Sequence, residues 1–164
     1  MKIIDITAKL PFKKSNGKMN FKNIDTVVIH HDAVIRPTSY NTLKRLISEA
    51  NTHIADNWGH LSYHYSIDNV GDVYQCVNEK EICYHAGNYD VNIRSLAIKL
   101  DGNMETQQPT PAQIKSLQAL LVYLTSQRPD LPKVVAASVK GHRDVRLAPT
   151  ACPGRNLYPL IHKF

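Results

Sequence analysis

Thr26-Val27-Val28-Ile29-His30-His31 is the stretch from which the architecture can be read. A β-branched run with no polar residue from Val27 to Ile29 reads as a buried strand, apolar on both faces. Only its C-terminal end carries polar side chains, two imidazoles, and ligands often gather at such strand ends. Downstream, Leu43, Leu46, Ile47, Ala50 and Ile54 recur at helical spacing and predict an amphipathic helix from about Thr42 to Ile54. Ser62 to Ile67 and Asp72 to Val77 alternate as strands around Asn69-Val70-Gly71-Asp72, whose residue types suit a hairpin turn. A further strand is expected from about Leu96 to Leu100. Thr110-Pro111-Ala112-Gln113 opens another helix, with Thr as N-cap, Pro in the first turn and Gln closing a capping box. Ile114, Leu117, Leu120, Leu121 and Leu124 form its buried stripe, and Pro129 and Pro132 stop it. Val134 to Ala137 reads as a short strand and Leu157 to His162 as a terminal helix packed on the sheet. Strand, helix, strands, helix, strand and helix in that order, without an internal repeat, predict one α/β unit.

A chain of 164 residues fits one domain with a genuine core, expected over about residues 24–164 behind an N-terminal extension, 1–23. Hydrophobic residues at 43% and charged residues at 21% are ordinary globular values, so composition names no activity. No apolar run approaches the roughly 20 residues of a membrane span. The N-terminus carries Asp5 and lacks the apolar core of a secretion signal, so synthesis in the cytoplasm is expected. Three cysteines, Cys76, Cys83 and Cys152, are too few and odd in number for a disulfide framework, and Cys76 and Cys83 read as free buried thiols. The net charge of +6 favours a polyanionic partner, nucleic acid or an anionic cell wall. Lys13-Lys14 and Lys44-Arg45 are the densest basic runs and read as solvated faces, so no nucleic-acid partner is expected. The chain is expected to act as a monomer.

Chemistry concentrates near the C-terminus. Gly141-His142-Arg143-Asp144 is followed, ten residues after the histidine, by Cys152-Pro153-Gly154. Imidazole and thiolate are good zinc ligands, and a catalytic zinc takes three protein ligands while leaving a fourth position for water. His30, held by a rigid strand, is the natural third. Residue chemistry alone leaves open that His30 or His31 is a hydrogen-bonded histidine at a strand end, and that Cys152 is a small buried hydrophobe.

The pattern resembles the type 2 N-acetylmuramoyl-L-alanine amidases, the family of phage endolysin amidases and peptidoglycan recognition proteins. Its pieces occur in order: Val27-Val28-Ile29-His30-His31, Ser62-Tyr63-His64-Tyr65, Gly71-Asp72-Val73-Tyr74, His85-Ala86-Gly87, Asn92 to Ser95, Gly102-Asn103, Thr110-Pro111-Ala112-Gln113, Gly141-His142-Arg143-Asp144-Val145 and Thr150-Ala151-Cys152-Pro153-Gly154. The resemblance implies a single domain with a central mixed β-sheet flanked by α-helices. It implies one zinc ion on His30, His142 and Cys152, with His31 disfavoured because adjacent strand residues point to opposite faces. The implied activity is zinc-dependent hydrolysis of the amide between N-acetylmuramic acid and L-alanine in peptidoglycan, in a phage or prophage lysis enzyme. Some peptidoglycan recognition proteins carry Ser where Cys152 stands and only bind muropeptides, whereas those with Cys hold zinc and hydrolyse them, so the cysteine favours hydrolysis. A peptidoglycan-binding module and a cytosolic muropeptide-recycling amidase are the alternatives.

By the same resemblance Tyr63 and Thr150 line the catalytic site, while His85, Asn92 and Arg94 flank the groove for the stem peptide. Lys99 stands where some members place a glutamate as general base, which argues against a glutamate mechanism and against the recycling subgroup. His53, His60 and His162 are expected at the surface. His64 reads as a site neighbour or as an exposed strand residue.

Overall fold

The computed structural model describes residues 1–37, 39–135 and 138–163. Its strands are β1 (Ile3–Asp5), β2 (Thr26–His31), β3 (Tyr65–Ile67), β4 (Val73–Gln75), β5 (Ser95–Leu100) and β6 (Val139–Gly141). They form one sheet in the order β1-β4-β3-β5-β2-β6. β3 and β4 are an antiparallel hairpin, whereas β1–β4, β3–β5, β5–β2 and β2–β6 pair in parallel, so the sheet is mixed. Two long helices cover it, α1 (Thr42–Ala55) and α3 (Pro111–Ser126), with single turns at α2 (Tyr89–Asn92), α4 (His142–Val145) and α5 (Tyr158–Ile161). No described helix is long and apolar enough to cross a membrane.

Strand alternation gives the two faces of β2 and β5 different chemistry. Val27, Ile29, Leu96, Ile98 and Leu100 pack with Leu117, Leu120, Leu121 and Leu124 of α3 in the main core. Val28 packs on the other face with Ala86 and Val91, while Leu46 and Ala50 of α1 meet Leu61, Cys76 and Cys83 nearby. That second face also carries His30, Ser95 and Lys99, which are 1%, 0% and 0% exposed. A buried polar group costs free energy unless it is hydrogen-bonded, so each of the three must find a partner inside the protein.

Helix α3 starts as expected: Thr110 Oγ1 accepts the Gln113 N–H at 3.1 Å and Gln113 Oε1 accepts the Thr110 N–H at 3.0 Å. The buried Gln113 amide also donates to the Asp101 carbonyl at 2.8 Å, tying the cap to the end of β5. Several expectations change. Residues 1–23 are not merely an extension, because Ile3–Asp5 pair with β4 and Ile6 and Leu10 enter the second core. The strand expected at Val134 to Ala137 lies partly outside the described residues. Val134 is instead buried in a turn, its N–H on the Leu131 carbonyl, and the strand that joins the sheet is Val139–Gly141. Gly141 is needed there because a Cβ would come within 2.9 Å of the Tyr158 ring. Cys76 and Cys83 are free and buried, as expected.

Of the three histidines expected outside, His60 is inside, His53 is half-buried and His162 is exposed, while His64, for which two readings stood, is buried. His60 stacks on Phe12 at 4.9 Å and bonds the Leu61 carbonyl, while His53 Nδ1 accepts the Ser62 N–H. His64 Nδ1 accepts the Ala97 N–H at 3.0 Å, and its Nε2 donates to the Glu81 carbonyl at 3.0 Å. His64 therefore pins β5 to the segment before the His-Ala-Gly loop. Burial pushes its pKa down from 6.5 to about 4. The unfolded chain binds that proton first, so the contribution of His64 to stability is complete above about pH 6.5 and is lost as pH falls towards 4. Denaturant titrations across this window should show declining stability, with a slope shallower by about one proton in His64→Gln; an unchanged slope would remove His64 as a cause.

Candidate active site

β2 fixes His30 on the second face of the sheet, and β6 ends where His142 opens α4. Asp144 holds that junction, with Oδ2 accepting the Gly141 N–H at 2.7 Å and Oδ1 accepting the Tyr158 hydroxyl at 2.6 Å. The following loop returns Cys152 to the same place. The Arg143 N–H bonds the Cys152 carbonyl at 3.1 Å, and Thr150 Oγ1 accepts the Cys152 N–H at 3.2 Å. Gly154, at φ +94°, closes the loop onto Met104, where a Cβ would lie 2.5 Å from a backbone carbon.

One donor atom from each of His30, His142 and Cys152 lies within 4.8 Å of the others. Cys152 Sγ is 3.7 Å from His30 Nδ1. Donors around one tetrahedral ion sit about 3.5 Å apart, so this trio needs little contraction to hold a metal. His142 Nε2 is buried without a hydrogen-bond partner, the vacancy expected of a nitrogen reserved for an ion. His31 points to the other face, its Nδ1 accepting the Met104 N–H at 3.0 Å, and only its backbone bonds Cys152. Burial holds His30 well below the usual imidazole range, helped by His85 and His142, and lowers His142 to about 4. Both rings are therefore neutral and carry a lone pair. Burial pushes the Cys152 thiol up to about 12, so taking up a cation releases its proton.

A cleft of about 460 Å³ opens over His142, lined by Trp58, Tyr63, Tyr84, Tyr89, Asn92 and Arg146 among others. Among the described residues no carboxylate lines it. Tyr63 packs its ring 5.2 Å from that of His30, and burial raises its hydroxyl well above the usual range. Thr150 is not on the cleft wall; its described contact braces the cysteine loop. Asn92 Oδ1 accepts the N–H groups of His85 and Ala86 at 3.2 and 2.8 Å, so it shapes the loop beside the cleft. His85 is buried, with ring nitrogens on His30 and Ser95. Arg94 does not reach the cleft at all. It pairs with Asp25 at the opposite end of the parallel strands, because it precedes β5 whereas His30 ends β2.

Lys99 lies opposite His30 in register and is paired with Glu49 of α1, with Asp101 at 3.7 Å and its ammonium 5.3 Å over the Tyr63 ring. The helix thus supplies the carboxylate, and the strand supplies a cation that supports Tyr63 from beneath. Sequence reading missed Glu49, Trp58, Tyr84, Tyr89 and Arg146. The aromatic residues flank the recognised motifs, but nothing in their spacing marks them as cleft-facing.

An α/β sheet with two imidazoles and a thiol converging beside an open cleft defines a scaffold with the donor atoms to take up a metal ion. The chain belongs to the N-acetylmuramoyl-L-alanine amidase family, whose model matches residues 20–155. It is 31% identical over 149 residues to the endolysin of Escherichia phage T7, covering 86% of this chain and 89% of that protein. The N-acetylmuramoyl-L-alanine amidase LysC from Clostridium intestinale URNW superposes with a TM-score of 0.74 at 26% identity, over 97% of this chain and 92% of its own. The complex of the peptidoglycan recognition proteins LCa and LCx with tracheal cytotoxin gives a TM-score of 0.82 at 26% identity, over 100% and 96%.

Glu49→Ala should destabilise the fold by about 3 kcal/mol, since it strips the buried Lys99 of its nearer carboxylate and Arg45 of one of its ion pairs. Replacing the pair by Glu49→Leu with Lys99→Met should recover most of that loss in chemical denaturation.

Proposed function

We propose that this chain is a zinc-dependent amidase that cuts between the lactyl group of N-acetylmuramic acid and L-alanine, with the ion held by His30, His142 and Cys152. The convergence of those three donors, one of them a buried nitrogen without a partner, carries this reading. Two nitrogens and one sulfur suit zinc, which when bound supplies an activated water and polarises the scissile carbonyl. The remaining work falls to the protein. The cleft orients the stem peptide against its aromatic wall, and half-buried Tyr63 keeps its proton at neutral pH, ready to donate to the oxygen that gains charge. Thr150 holds the Cys152 loop and with it the thiolate position. Lys99, committed to Glu49, is not available as a base.

The likeness to phage endolysins supports a lysis enzyme made in the cytoplasm that acts on the wall after release. A binding module is the second reading, favoured by the similarity to recognition proteins. Against it stands Cys152, an ion donor that pure recognition does not require.

Mass analysis of digested peptidoglycan should reveal free stem peptides with L-alanine amino termini. New reducing sugar ends would indicate a glycosidase instead, and binding without release would indicate the module. Cys152→Ser should lose zinc and activity together. Tyr63→Phe should retain zinc and fold while turnover falls about 100-fold.

A further inference from the structure

We propose that His85 and Ser95 are positioning residues that fix His30 in the tautomer with a bare Nδ1, so that the metal is taken at that nitrogen. The inference rests on the metal-centre reading above and concerns which ring nitrogen of His30 that reading can use. It follows from counting protons along a buried chain of contacts. Ser95 Oγ lies 2.7 Å from the Val91 carbonyl, which can only accept, so the single hydroxyl hydrogen points there. Ser95 Oγ also lies 3.0 Å from His85 Nε2 and must be the acceptor in that contact. His85 therefore carries its hydrogen on Nε2. Its Nδ1, 3.0 Å from His30 Nε2, is left as an acceptor, and His30 must donate from Nε2. His30 then has no hydrogen on Nδ1, the atom that faces Cys152 Sγ at 3.7 Å.

Each step has one solution because both rings are enclosed, so that every contact must pair one hydrogen with one lone pair: His30 is 1% exposed and His85 6%. In the reverse tautomer of His30, two lone pairs would face each other at the His30–His85 contact, a buried repulsion with no water to relieve it. The rest of the loop is built to hold the His85 ring in place. Asn92 Oδ1 clamps the N–H groups of His85 and Ala86, and Val91 lies in the turn of α2. His85 has both nitrogens occupied within the protein, so it has none to offer a substrate. His85 still lines the cleft, as a flanking residue would, but its ring nitrogens are spent on this role.

The test begins on metal-free protein, where NMR shifts of the imidazole nitrogens distinguish protonated from bare nitrogen. In the wild type, His30 should show a bare Nδ1 and a protonated Nε2, and His85 the same pattern. A protonated Nδ1 on His30 would overturn the proposal. Zinc affinity, measured by chelator competition, should weaken by about 10–100-fold in His85→Leu and Ser95→Ala. His85→Gln should restore affinity close to wild type, because a Gln carbonyl can accept from His30 while its amide donates to Ser95. Equal loss in the Gln and Leu variants would count against a directed relay. If the leucine variant fails to fold, the wild-type NMR pattern still decides. A wild type with this tautomer pattern but no zinc affinity would support the relay while sinking the metal reading on which the proposed activity depends.

Discussion

His30, Ser95 and Lys99 sit on the inner face of a sheet that is covered on both sides, where water cannot satisfy them. Much of the neighbouring structure can be understood as the answer to that constraint. Lys99 finds Glu49 on the covering helix, Ser95 reaches back to Val91 in the turn before its own strand, and His30 meets His85 from the loop between the hairpin and β5. The apolar face follows ordinary rules: leucines and isoleucines pack under α3, and the main core forms there. Hydrophobic burial thus stabilises one face, while polar satisfaction dictates how segments are arranged on the other.

This division explains how much could be read in advance. The strand Thr26–His31 and the helix begun by Thr110 are set by local chemistry, a β-branched run and a capping box, and both appear with nearly the expected limits. The trio His30, His142 and Cys152 comes together because two ligands sit at strand ends or just beyond them and the third shares a short loop. What escaped depends on tertiary partners. Three residues of β1 are too few to carry a periodic signal, and they become a strand only by pairing with β4. His60 has the composition of a surface residue and is buried because the N-terminal segment folds over it. Arg94 belongs to a recognisable segment, yet strand direction carries it to the far end from His30. Lys99 looked like a lost acid until Glu49, fifty positions earlier in the chain, arrived from the helix above.

The comparisons sharpen a distinction that the fold alone does not make. This chain superposes well both on an amidase and on a peptidoglycan recognition protein. Shared architecture therefore separates neither role, and the argument for hydrolysis rests on donor atoms. The described lining of the cleft offers hydroxyl and backbone groups for charge stabilisation, with Tyr63 held between His30 and the Lys99 ammonium.

Two consecutive imidazoles at the end of one strand have a consequence for assembly. His30 belongs to the polar face and His31 to the opposite one, where its ring accepts the Met104 N–H. Met104 in turn is the surface against which Gly154 seats the cysteine loop. A slip of β2 by one residue against β5 would exchange the two rings, strip Met104 of its acceptor and bring the wrong imidazole towards the thiol. The donor trio can assemble in only one strand register, so its completion reports that the centre of the sheet has been correctly aligned.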